Sequence, residues 1–565
     1  MVLLSGCAGT QASREEALAQ LVRESVARES LSPTTTPAIA STPASQPGAV
    51  LVREDRVSAL GLKPEFLAEN EANSGPASYP RESQGLTLAQ AVARGVAENL
   101  ALEGARLEPA IAEQDLARAR AAFDWTLGAG LDYARTNRPQ SVFELGGVPL
   151  GLDRSRTQQL QGSLGLRKPT ERGGLLSLTT APTWLNDQTP GATFRPDPST
   201  GVRTEIRLEQ PLLRGAGEDV NLQDVRLAVN AEKSATIALR ARVLDLALEI
   251  EETYWTLARA EHDVRVLARL IERGEKVRDQ LRARAEVDAT AAQIADAVAR
   301  VERRRAELMR AENTVRRLRD RLAVLTGRPG ETAEISQSPS DEAVALALED
   351  LVAAAMRDRP EVERAALSID DAEIRRRAAE NLKLPTLNLR IAGAVNSLRG
   401  DTGSAYGDQF DTRFVDALVG LTLEYPLGNR AGEARAEASR LERMRSVIEL
   451  RRVLRDVARE VRDAADGVRT SFALIEQTRT GRIAAAEVLR TLRVEKDQTR
   501  GYTVERLDLE LNRQEQLAQA EREEFGAIVE YRLSLARLAR ATGQSLERHG
   551  ISWEQRAEPG QGGTP

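Results

Sequence analysis

Residues 206–228 read "IRLEQPLLRGAGEDVNLQDVRLA", and residues 421–442 read "LTLEYPLGNRAGEARAEASRLE". Each holds Leu-Glu-X-Pro-Leu, then a break containing glycine, then a run of helical character. The two prolines, Pro211 and Pro426, stand 215 positions apart. Upstream of each, apolar residues recur with period two: Val202, Thr204, Ile206 and Leu208 in one copy, and Ala417, Val419, Leu421, Leu423 and Tyr425 in the other. That is the alternation of a strand. Downstream, the period changes to seven. Leu239, Val243, Leu246, Ile250, Thr253, Leu257, Ala260, Val264, Leu267 and Ile271 follow a strict 4-3 spacing, as do Leu450, Leu454, Val457, Val461, Ala464 and Val468. A seven-residue repeat sustained this long predicts a coiled-coil seam. Proline stops ladder pairing and fixes φ near −65°. Gly215, Gly217, Gly428 and Gly432 give the backbone room to redirect. Pro211, Gly215, Pro426 and Gly428 are therefore expected to be joints between strand and helix.

The duplication extends beyond these joints. "LTLAQAVARGVAENLALEGARLEPAIAEQDLARARAAFDWTLGAGLDY" at 86–133 corresponds to "LALEDLVAAAMRDRPEVERAALSIDDAEIRRRAAENLKLPTLNLRIAG" at 346–393. Both run helix, break, longer helix, then alternation. "RLAVLTG" at 321–327 and "RLARATG" at 537–543 close the two copies, with Gly327 and Gly543 at the expected helix C-caps. The first copy is longer between its first strand and its proline, and residues 158–184 read as an added hairpin around Gly173-Gly174. A helix from the first joint to about residue 285 would be about 100 Å long at 1.5 Å per residue.

The expected organisation is a signal-like segment at 1–7, an N-terminal helix and a Pro/Ser/Thr-rich spacer at 8–83, and a first repeat at 84–330. Within that repeat, strands lie at about 126–210, a long helix at about 218–284 and a return helix at about 288–326. A linker at 331–345 leads to a second repeat at 346–545, with strands at about 386–425, a long helix at about 432–498 and a return helix at about 505–542. Residues 546–565 form a tail.

Composition agrees with long helices. Aromatic residues are 3% of the chain and charged residues 29%. Only six of the 79 cationic residues are lysine, and the net charge is −6, which gives no support to nucleic-acid binding. No run of 18 apolar residues exists to span a bilayer as a helix; alternating barrel strands would escape that test. The sequence holds no Gly-rich phosphate loop, metal-ligand spacing or nucleophile–base constellation, so neither an enzyme nor a cofactor is expected. The two histidines, His262 and His549, read as solvated or capping residues. The single cysteine, Cys7, excludes a disulfide framework. Its context, Leu4-Ser5-Gly6-Cys7, resembles a bacterial lipobox, and the Pro/Thr-rich stretch behind it would serve as a flexible tether.

Helix, strands, very long helix, tip turn and returning helix, performed twice, resemble the TolC-like outer-membrane efflux protein family over about residues 84–545. The resemblance rests on the order and spacing of the paired openings, joints and Thr-Gly endings. It implies an α+β membrane protein in which three copies share one β-barrel, with four strands from each, and one α-helical periplasmic tunnel. It also implies a periplasmic adaptor, an inner-membrane pump or ABC exporter, and outer-membrane lipid as partners. Three departures stand out: Trp125 occupies a position where many members have proline, the added hairpin enlarges the first strand region, and the first tip at 284–289 lacks the glycine that the second has in Gly501.

By the same resemblance, acidic residues near the tips would form a constriction. Asp508, Glu510, Asp288 and Asp296 are the candidates, and a three-fold ring of carboxylates would favour cations. The tips themselves, Gly501, Tyr502, Thr503 and Val504 with Glu286 and Val287, would dock the adaptor. The competing reading is a soluble periplasmic or cytoplasmic coiled-coil scaffold, which leaves the alternating segments unexplained.

Overall fold

The computed structural model describes residues 85–139, 143–146, 148–150, 154–189, 195–286, 289–331, 333–411, 413–498 and 504–551. Cys7, the whole of 1–83, Asp288, Val287, Gly501, Tyr502 and Thr503 lie outside the described residues.

In chain order the elements are α1 (Leu88–Glu98), α2 (Leu100–Ala121), β1 (Thr126–Pro139), β2 (Phe143–Leu145), β3 (Val148–Leu150), β4 (Arg154–Pro169), β5 (Leu175–Asp187) and β6 (Ser199–Pro211). There follow α3 (Glu218–Asn221), α4 (Gln223–Ala283), α5 (Ala291–Leu325), α6 (Leu348–Asp358), α7 (Pro360–Asn381) and β7 (Thr386–Arg399). The chain ends with α8 (Thr402–Gly407), β8 (Val415–Glu424), α9 (Arg430–Gln498), α10 (Val504–Thr542) and α11 (Ser545–Arg548). Most described residues are helical, and the strands β1, β4, β5, β6, β7 and β8 form one antiparallel sheet in that order; β2 and β3 pair separately.

The chain divides into two compact units. Among the described residues, a helical unit takes 85–108 with 236–364 and 450–551; a sheet unit takes 109–235 and 365–449. In the helical unit the 4-3 positions of α4 turn inward: Val243, Ile250, Leu257 and Leu267 are buried with Leu322 of α5 and Phe525 and Val529 of α10. Between those rows Leu244, Ala247, Tyr254 and Trp255 are buried too, so the apolar stripe of α4 is wider than a two-helix seam. The Tyr254 hydroxyl donates to the Leu86 carbonyl at 3.0 Å and accepts from the Gln337 N–H at 3.1 Å, holding the opening segment against the linker. Burial pushes its phenol up to about 12, so it stays a donor.

The duplication is visible in the helix ends. Gly327 and Gly543 both have φ near +80° and close their helices with paired backbone bonds, Arg328 N–H to Ala323 and Gln544 N–H to Ala539. A Cβ at Gly327 would overlap the Glu98 carbonyl at the end of α1, and one at Gly543 would press on the Asp358 carbonyl at the end of α6. Each return helix therefore ends against the opening helix of its own repeat.

The expectation of a solvated or capping residue is corrected for His262 and met by His549. His262 is a core residue, stacked on Phe525 with ring centroids 4.1 Å apart and planes 6° apart. His549 caps α11, and its Nε2 lies 3.2 Å from the buried Glu251 carboxylate.

Candidate membrane face, channel lining and tip

Directly opposed residues of paired strands share a face of the sheet. The registers therefore join Leu127 to Leu166, Leu166 to Leu178, Leu178 to Ile206, Ile206 to Gly393 and Gly393 to Ala417 across all six strands. Leu131, Leu164, Leu176, Leu208, Ile391, Val419 and Leu421 fall on this same side. Much of it is open: Leu131 is 74% and Val419 76% exposed. A continuous apolar face of this extent is far larger than a water-soluble surface carries without a partner.

Aromatic residues frame it. At the end where strands meet helices stand Trp125, before β1, and Tyr425, after β8; the Lys168 ammonium lies 5.7 Å from the Trp125 ring centre. Toward the other end Tyr133 and Trp184 share a row through Leu160, and Phe414 precedes β8. Near that end the segment 402–411 covers part of the face. Ser397 Oγ donates to the Ala405 carbonyl at 2.6 Å, and Thr204 Oγ1 donates to Gln409 Oε1 at 2.7 Å.

The opposite face is polar and charged. Arg203 of β6 reaches across two strands, 3.0 Å from Asn396 Oδ1 and 2.6 Å from Asp416 Oδ2, and also pairs with Glu205 at 3.0 Å. Asn396 Nδ2 donates to Asp416 at 2.8 Å. Arg207 pairs with Glu205, and Arg390 with Glu209 at 3.2 Å. Arg203, Arg207 and Arg390 each have a carboxylate partner.

The joints are held by side chains that local sequence reading did not find. Pro211 is the last residue of β6 and still opposes Asn388. Helix α3 begins only at Glu218, after a turn in which Gly215 and Gly217 have φ of +81° and +96°. The expectation that the proline stops ladder pairing is thus corrected: the strand ends at Pro211, but the Leu212 and Arg214 N–H groups still donate to the Leu387 and Pro385 carbonyls at 2.7 and 3.2 Å, and the glycines make the turn. Asn381 at the end of α7 accepts from the Gly215 N–H at 2.7 Å and donates to the Leu213 and Ala216 carbonyls at 3.3 and 3.2 Å. At the second joint Pro426 follows β8, Gly428 has φ +85°, and Asn429 donates to the Lys383 carbonyl at 2.7 Å before α9 begins.

Near the turn between α4 and α5 the acidic candidates are engaged. Arg300 of α5 bridges Asp296 at 2.7 Å and Asp508 of α10 at 3.1 Å, and it also donates to Asn512. Glu510, 5% exposed, accepts from Gln514 at 3.2 Å and lies 3.5 Å from Arg493. Asp296 and Asp508 are therefore brought together by one guanidinium, whereas Glu510 points inward. Val504 is also 5% exposed, packed with Leu507, Leu511, Val277 and Leu281. Its place as an exposed docking residue is corrected: as the first residue of α10 it is part of a buried apolar cluster. Glu286 is exposed in the turn after α4.

Among the described residues no helix is long and apolar enough to cross a membrane. No protein-family model and no curated protein sequence matches the chain. Solved structures do. A membrane protein from Pseudomonas aeruginosa superposes with a TM-score of 0.59 at 18% identity, over 81% of this chain and 93% of that one. The outer membrane protein VceC from Vibrio cholerae matches with a TM-score of 0.57 at 16% identity, over 81% and 96%. The CmeC outer membrane channel from Campylobacter jejuni matches with a TM-score of 0.56 at 12% identity, over 90% and 94%. The chain shares its fold with these three membrane proteins, one of them an outer membrane channel.

Proposed function

We propose that the protein is the outer-membrane conduit of a tripartite efflux or type I secretion machine, a passive channel formed by a homotrimer. The observation that carries this reading is the two-faced sheet. An isolated sheet with one continuous apolar face and one ion-paired face matches the wall of a barrel, lipid outside and water inside. From residue 125 to 133, and from 414 to 425, the aromatic-framed stretch measures about 26 to 36 Å along the strand, or about 20 to 28 Å at a ~40° tilt. That is the thickness scale of an outer-membrane apolar band. One sheet cannot close alone, because open strand edges cannot be satisfied in lipid. Neighbouring copies supply the missing edges. On α9, Leu441, Met444 and Ile448 form an exposed apolar stripe at helical spacing that a second copy would cover.

The long helices would then line the periplasmic tunnel, and the turns between α4 and α5 and before α10 would meet a periplasmic adaptor joined to an inner-membrane pump or ABC exporter. Asp508 and Asp296 form the candidate constriction; Asp288, another candidate read from the sequence, lies outside the described residues. Cys7 would add a lipid anchor to the outer membrane, tested separately by metabolic labelling with a radioactive fatty acid. The conduit itself is tested by reconstituting the purified protein in planar bilayers: discrete single-channel steps from a particle with the mass of three copies are expected. A monomer that partitions into the soluble fraction and gives no conductance would sink the reading.

A further inference from the structure

The resemblance to the efflux family implies four strands per copy, whereas this sheet has six. We infer that three copies close an eighteen-stranded barrel in which β8 of one copy pairs with β1 of the next. The inference rests on the conduit reading and adds the strand number, the seam and the width of the outer mouth.

The added hairpin is part of the wall. β4 and β5 lie between β1 and β6 in the ladder, with β4 paired to β1 along the whole of Thr126–Pro139. Their residues keep the two-faced pattern: Leu164, Leu166 and Leu178 on the apolar side, and Gln161, Ser163, Ser177 and Thr179 on the polar side. The hairpin turn is tied to the first joint. The Arg172 carbonyl accepts from the Gly217 N–H at 3.3 Å and from Gln210 Nε2 at 3.1 Å. Gly173, with φ +88°, sits against the Gly215 carbonyl and Asn221, where a Cβ would not fit. A hairpin that only plugged the lumen would need neither the ladder bonds nor this tether.

Direction and slope both favour closure. The six strands alternate, so β1 leaves the helix-bearing end and β8 returns to it. β8 of one copy therefore meets β1 of the next antiparallel, and a whole hairpin, unlike a single strand, preserves that parity. The slope can be read from one row of the register. It starts at Thr126, the first residue of β1, passes through Arg167, Ser177, Arg207 and Ala392, and reaches Leu418, six residues (424 − 418) short of the end of β8 at Glu424. A stagger of six residues over five steps is about 20 Å along the strands for about 24 Å across them. The corresponding tilt is about 40°, the range in which barrels close. Since diameter grows roughly linearly with strand number, the mouth would be about 36 Å across between backbones, against about 24 Å for twelve strands.

The test uses the full chain in membranes. Single cysteines replace Gln161, Ser163, Ser177, Thr179, Leu164, Leu166 and Leu178, and particle mass is measured alongside. Within a trimer, the first four should react with a membrane-impermeant maleimide at least about ten-fold faster than the leucine positions, which should react with a lipid-soluble maleimide instead. Pairing Ala129→Cys with single cysteines scanned over 419–423 should yield crosslinks between copies. A membrane-inserted trimer whose hairpin positions all label from water would overturn the eighteen-stranded barrel and leave the conduit standing. Absence of a membrane-inserted trimer would overturn both.

Discussion

At the scale of single residues, His262 carries a pH dependence with a definite sign. Burial, then the charges of Arg265, Arg269 and Arg522, push its imidazole down to about 3. The unfolded chain takes up that proton near the ordinary value of 6.5, so the neutral, stacked ring stabilises the fold fully above about pH 6.5. That contribution is lost as pH falls toward 3, by at most about 1.4 kcal/mol per pH unit. His262→Phe keeps a ring against Phe525 and removes the proton. Its melting temperature should fall less than that of the wild type between pH 7 and pH 4; parallel curves would show that His262 is not the group responsible. Gly327 makes a second case. The sequence marks it as a helix end, and the structure adds the reason it tolerates no side chain: a positive φ together with the Glu98 carbonyl where a Cβ would go. Gly327→Ala should cost about 1–3 kcal/mol, read as a lowered unfolding midpoint, while Gly330→Ala, with φ +92° but open space around it, should cost less.

Among the elements, strands and helices were legible where period alone decides them. Two-residue alternation marks β1, β6, β7 and β8, and the 4-3 spacing marks the buried rows of α4 and α9. The added hairpin was legible as a hairpin but not as wall, because Gln, Ser and Gly on its polar side give a weak contrast and only the register shows which strands flank it. The Asn381 clamp was invisible for another reason: its partners, Leu213, Gly215 and Ala216, lie more than 160 positions away. The Arg300 bridge was equally hidden, since the side of α5 that meets α10 depends on packing. The hairpin offers a paired prediction. Leu178→Arg puts a cation on the apolar face, and Thr179→Arg, the next residue, puts it on the polar face. In a barrel wall the first should cost up to about 2–4 kcal/mol of membrane stability and the second little. The fraction of trimer recovered in outer-membrane extracts should therefore fall sharply for Leu178→Arg alone. Equal losses, or none, would mean that this hairpin does not separate lipid from water.

For the whole molecule, the proposed conduit makes a prediction about charge near the turn between α4 and α5. The expected ring of bare carboxylates is, in the single chain, a set of bridged ones: Arg300 holds Asp296 and Asp508 together, so part of the acidic field is already balanced. Two substitutions then push in opposite directions. Asp508→Asn removes one negative charge per copy and should weaken block of the reconstituted channel by a trivalent cation such as hexamminecobalt, by about ten-fold or more for three copies around one axis. Arg300→Ala leaves both carboxylates uncompensated and should strengthen the same block. Loss of the bridge also removes a tie between α5 and α10, so a rise in open probability is expected with Arg300→Ala, and a smaller one with Asp508→Asn, where the hydrogen bond from Arg300 to Asn512 still joins the two helices. Block and open probability are separate readouts of one recording: opposite shifts in block with parallel shifts in opening point to a charged constriction latched by Arg300. If neither variant changes block, the three-fold carboxylate ring lies elsewhere along the tunnel or does not exist.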